Sequence, residues 1–167
     1  TMKKATIAAF TLLALSACGS DPGEPAAQES APAKVYTIGE AAPIEGKELI
    51  ITKVEEKASI GGEIGANVEP GETFIVAYYT QKNTSTEPVD LISSSSISLI
   101  DDKGNAYAED TMGSAFAVGL LDNPPVFETT VNPGVSSKSA IAWKVAKANF
   151  DKATWTLKVE ELTFSLK

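Results

Sequence analysis

From Lys34 to Lys167 the chain is built of short apolar runs broken by turn residues, and this punctuation limits its fold more than any other feature. Glu48–Val54 (ELIITKV) is β-branched and apolar. Thr73–Thr80 (TFIVAYYT) is the most apolar run, with Phe74, Val76 and Tyr78 on one face of a strand and Ile75, Ala77 and Tyr79 on the other. Ile97 and Leu99 alternate about Ser98, Ala140–Val145 and Thr154–Val159 each carry a Trp, and Leu162, Phe164 and Leu166 alternate to the end. Pro70-Gly71, Asn83–Pro88 and Asn132-Pro133-Gly134 supply turns between them. No segment here holds a 3.6-residue apolar period over ten residues, so the pattern predicts an all-β chain, an antiparallel β-sandwich and not a parallel α/β sheet.

Composition removes several functional classes. The 167 residues include 14 basic side chains, all Lys, against 22 acidic ones, with no His and one Cys. Without His there is no Ser-His-Asp or Cys-His nucleophile system and no imidazole metal ligand. One Cys closes no internal disulfide and builds no thiolate zinc site. A net charge of −8 without Arg argues against nucleic acid as a partner.

The N-terminal stretch reads as an address. Lys3 and Lys4 precede the apolar run Ala5–Ala17, about 20 Å as a helix and so short of the roughly 30 Å hydrocarbon core. It is a secretory h-region. The residues that follow it, Leu15-Ser16-Ala17-Cys18, resemble the bacterial lipobox. That resemblance implies cleavage before Cys18, a covalent lipid on Cys18 and a membrane partner reached through the lipid, with no other cofactor expected. Gly19 is not the Asp that retains such lipoproteins in the inner membrane, which favours the outer membrane where the cell has one. Loss of residues 1–17 removes two Lys and leaves 12 basic against 22 acidic side chains, a net −10. Residues 18–33, a Pro-, Gly-, Ala- and Ser-rich stretch after Cys18, have the composition of a disordered linker. The expected organisation is therefore signal peptide 1–17, lipidated N-terminus and linker 18–33, and one sandwich domain 34–167.

The order of motifs in that domain is familiar. Gly71-Glu72-Thr73-Phe74-Ile75-Val76 leads to Lys82-Asn83-Thr84 and Glu87-Pro88-Val89, then to Ser98–Tyr107 and to Asn132-Pro133-Gly134-Val135. This succession resembles a domain-of-unknown-function family of bacterial lipoproteins, within the immunoprotective extracellular, immunoglobulin-like superfamily. It implies an immunoglobulin-like sandwich without a disulfide, displayed outside the cytoplasm, and no catalytic residues.

Candidate chemistry is sparse. Glu55-Glu56, Asp101-Asp102 and Glu160-Glu161 are neighbours, and neighbours along a strand point to opposite faces, so they do not share a substrate. Asp101–Asn105 suits a hairpin turn better than a calcium loop, for it lacks the alternating oxygen ligands and terminal Glu of an EF-hand. Ser93–Ser96 has no His to act as base. Trp143 and Trp155 are read as core before ligand platform. The stretch Asp110–Val126 interrupts the family pattern with an apolar, uncharged middle. Its alternating Phe116, Val118 and Leu120 suit an extra strand or a cap over the sandwich end; alternatively Met112, Phe116, Val118, Leu120 and Leu121 form an exposed surface for a protein partner. The reading that results is a non-enzymatic, lipid-anchored binding module of the cell envelope with an envelope-protein partner. Its rivals are a small-ligand or calcium-binding domain and a carboxylate-based glycan hydrolase.

Overall fold

Period-two alternation becomes pairing geometry in the computed structural model, which describes residues 34–122, 124 and 129–167. Residues 1–33, where a signal peptide, a lipidated Cys18 and a linker are expected, lie outside the described residues. In chain order the strands are β1 (Val35–Tyr36), β2 (Ala41–Ile44), β3 (Lys47–Lys57), β4 (Ser59–Ile60), β5 (Ala66–Asn67), β6 (Glu72–Asn83), β7 (Val89–Asp90), β8 (Ile97–Ile100) and β9 (Ala106–Tyr107). A helix, α1 (Thr111–Gly119), follows, and then β10 (Thr130–Val131), β11 (Ser136–Ala146), β12 (Thr156–Val159) and β13 (Leu162–Ser165).

Two main sheets form. One has the order β11-β6-β3-β2 and is antiparallel throughout; the other has the order β1-β13-β12-β8-β9. Within the second sheet only β1, which runs parallel to β13, departs from antiparallel pairing. Long central strands set the register: β6 pairs with β11 from Glu72↔Ala146 to Lys82↔Ser136, and with β3 across a bulge at Thr52. The expected strands are all present with shifted ends. Trp155 stands just before β12, in a turn where its N–H and that of Thr154 donate to the Asp151 carbonyl.

Between the sheets lies the main core, with Ile75, Ala77 and Tyr79 from β6, Ile141, Trp143 and Val145 from β11, and Leu99, Leu157 and Phe164 from the opposite sheet. Both Trp residues are buried, as core membership requires. The ring of Trp155 stacks on Tyr107 at 4.8 Å and meets the edge of Phe150 at 5.3 Å. Neither indole Nε1 has a hydrogen-bond partner among the described residues.

The other face of β6 is covered too. Phe74 and Val76 are buried there with Ala140 and Ala142 of β11, Ile60 and Ala66, beneath α1. This corrects the expectation for residues 110–126: the segment is not an extra strand but begins with a helix. Asp110 caps it, its carboxylate accepting the Gly113 N–H at 2.7 Å, and the residues turned inward are Gly113, Ser114 and Ala117. The buried face consists of small residues because the helix lies almost on the sheet. A Cβ on Gly113 would come within 3.1 Å of both Ala142 and Phe74. The same first turn protects the free edge of β11. Asp110 N–H donates to the Ala142 carbonyl at 2.8 Å, and Ser114 Oγ accepts the Ala142 N–H at 2.9 Å.

Candidate functional site

Beside α1, a groove of about 670 Å³ opens, within the usual range for a small-molecule site. Several separate segments wall it, Pro124 and Thr129 adding to those that follow. Tyr79 and Gln81 of β6, with Ser139 and Ala140 of β11, form the floor; Leu91–Ser94, crossing between sheets, form one side; Ala115, Val118 and Gly119 of α1 form the other; Glu109 and Thr111 stand at the helix start. The floor belongs to the core itself: Tyr79 is 3 % and Gln81 1 % exposed. Burial raises the Tyr79 phenol above its ordinary pKa; the neighbouring Ser139 hydroxyl acts the other way, and the negative charge of Glu109 adds a smaller rise. The Gln81 carboxamide oxygen accepts the Ile92 N–H at 2.7 Å, so this side chain fixes the crossing segment against β6.

The residues singled out by the sequence are dispersed about this groove. Met112 and Leu120 are 62 % and 61 % exposed, whereas Phe116, Val118 and Leu121 are partly buried against the outer core. Phe116 packs so closely on Gly61, which has a φ of +87°, that a Cβ there would lie 2.8 Å from the ring. Val118 alone of the five lines the groove. The suggested surface is thus divided by the helix into a wall, a packed face and an exposed edge.

The Asp101 loop is a turn. Its carboxylate accepts from the Lys103 and Asn105 N–H groups and from Asn105 Nδ2, all at 2.8–2.9 Å, and from the Tyr107 hydroxyl at 3.4 Å. These bonds, the Asn105 side chain foremost, hold the Asp101 carboxyl below its ordinary pKa. Among the described residues no cluster of three or more metal-ligating side chains occurs. Ser94–Ser96 form a single 3-10 turn leading into β8. Glu55 is paired with Lys53 at 2.5 Å and Lys57 at 3.1 Å, and Glu56 with Lys147 at 3.6 Å.

One residue of consequence was not singled out. Asn83, fully buried at the end of β6, donates from Nδ2 to the Glu87 and Val131 carbonyls at 2.7 and 2.9 Å. Its Oδ1 accepts from the Ser85 N–H and hydroxyl, both at 2.8 Å. It ties the loop after β6 to β10, and its position between Lys82 and Thr84, before a turn, was the only sequence signal.

Two packed antiparallel sheets, one carrying a short helix over its outer face, define a β-sandwich domain. The chain belongs to the family described as Domain of unknown function (DUF4352), whose model matches residues 36–166. It is 30% identical over 128 residues to the uncharacterized protein YxkC of Bacillus subtilis (strain 168), covering 75% of this chain and 71% of that one. Among solved structures it is similar to a conserved hypothetical protein from Bacillus anthracis, with a TM-score of 0.62 and 25% identity over 75% of this chain and 90% of the other. An uncharacterized β-sandwich protein from Clostridium difficile 630 shares the fold at a TM-score of 0.52 and 13% identity, covering 83% of this chain and 99% of that one.

Proposed function

We propose that this protein is a lipid-anchored, extracytoplasmic binding module of the cell envelope, immunoglobulin-like and without catalytic activity. The observation that carries the binding role is the groove, a cavity of ligand size whose floor is part of the buried core. Glu109 is the sole carboxylate among its described lining residues, while glycoside hydrolysis uses a pair of carboxyl groups about 5–10 Å apart. A binding role therefore fits the walls better than acid–base catalysis does.

The anchor is supported by Leu15-Ser16-Ala17-Cys18 after a basic and apolar leader. No helix among the described residues is long and apolar enough to cross a membrane. Two or more acyl chains on Cys18 would hold the protein stably, each buried methylene contributing about 0.8 kcal/mol.

Both halves are testable. Intact mass of the membrane-extracted protein should show an acylated N-terminus at Cys18, and Cys18→Ser should release it from membranes; an unmodified start elsewhere overturns the anchor. A thermal-shift screen of envelope solutes should be run on the protein and on Ala115→Trp, which fills the groove from an exposed helix position. Ligands that stabilise the first and leave the second unmoved support the binding role. Ligands that shift both equally overturn it.

A further inference from the structure

The charge of the groove is one-sided. Glu109 is half-buried at its rim and has neither an ion pair nor a hydrogen bond among the described residues. Other carboxylates differ: Asp110 faces Lys144 at 3.7 Å, and on β3 Glu55 is held between two Lys. No Lys is among the described lining residues, so nothing there compensates Glu109.

The other described lining residues are neutral. Leu91 and Ile92 on one side face Ala115 and Val118 on the other. These surfaces suit a hydrocarbon body, which gains by leaving water. A neutral polyol would leave them poorly filled and Glu109 unpaired, and an anion would meet the Glu109 charge without a counter-ion. A partly buried, uncompensated carboxylate interacts more strongly with a cation than an exposed one does, because the local dielectric is lower.

We propose that the groove binds a small organic cation, an apolar body ending in an ammonium group, with the ammonium placed against Glu109 and the body between the α1 wall and Leu91–Ile92. This assignment rests on the groove being a binding site and adds the chemical class of its ligand. The buried phenol of Tyr79 and the hydroxyl of Ser139 lie on the floor, where they can accept further hydrogen bonds from the ammonium.

Three probes with one body separate charge from shape: phenylbutylamine, phenylbutanol and phenylbutyrate, titrated calorimetrically into the protein at neutral pH and low salt. The amine should bind about tenfold more tightly than the alcohol, the margin of an ion pair with a partly buried carboxylate over a neutral hydroxyl in the same place. The carboxylate should bind most weakly. Glu109→Gln should bring amine and alcohol within about twofold of each other, chiefly by weakening the amine. Amide shifts on titration should centre on Ala140 and Val118. Equal binding of amine and alcohol to the wild type overturns the cation while the groove remains a binding site. A margin that survives Glu109→Gln, shifts confined to other surfaces, or no saturable binding of any probe overturns the proposal as well. The Ala115→Trp screen independently decides whether the groove binds anything.

Discussion

The two faces of β6 are covered by different kinds of material. Inward, Ile75, Ala77 and Tyr79 meet Trp143, Leu157 and Phe164 in a core of large side chains. Outward, Phe74 and Val76, flanked by Ala140 and Ala142 of β11, lie beneath Ala117, with Phe116 and Val118 only partly buried. The inner face depends on volume filled between two sheets. The outer face depends on close approach, with a helix lying near enough to hydrogen-bond the sheet edge. A cover of small residues contributes less burial per residue and can end abruptly, and where it ends the groove begins.

That contrast can be broken first on β6 itself. Ile75→Ala should cost about 3–4 kcal/mol in urea unfolding, the range for a fully buried Ile that leaves a cavity. Asn83→Ala should cost about 2–3 kcal/mol, since it strips two carbonyls and the Ser85 donors of their buried partner. The helix then gives the sharpest discrimination. Phe116→Ser should cost about 1–2 kcal/mol and Leu120→Ser less than about 0.5 kcal/mol, because one packs on Gly61 and the other is exposed. A Phe116→Ser cost equal to that of Ile75→Ala would erase the distinction between core and cover.

The smallest effect lies far from both faces. The Asp101 carboxyl has its folded pKa below the unfolded one, so its contribution to stability is complete above the unfolded value and is lost as pH falls through the folded value. A carbon-detected titration should place its midpoint below that of a free aspartate. Asn105→Ala should move the midpoint upward, since the Asn105 side chain is the main cause of the shift.

The two faces also differed in how far they could be read in advance. The inward and outward sets of β6 followed directly from the period of two, because both are apolar and the strand is long. The helix above it escaped for a physical reason. Phe116, Val118 and Leu120 alternate like a strand, yet in α1 Val118 turns to the groove while Phe116 packs on Gly61. The inward residues, Gly113, Ser114 and Ala117, are too small to register as a hydrophobic stripe. The Asp110 cap was the available signal. Glu109 and Asn83 owe their roles to partners or walls distant in sequence, such as Val131 beside Asn83 and Leu91 across from the helix. No local pattern carries such information.

The parallel pairing of β1 with β13 has a kinetic consequence. Val35 meets Thr163 and Tyr36 meets Phe164, so the first strand of the domain has its partner in the last. Closing so long a loop carries a large entropic cost, and contacts of such sequence separation slow folding. The two-residue β1 is therefore expected to dock after β12 and β13 have formed, and its amides to exchange early in the native state. Any tether on the N-terminal side pulls on this strand first. A load along the chain would peel β1 from the sheet edge before reaching the paired centre of either sheet, giving the domain a compliant link between its body and whatever holds it.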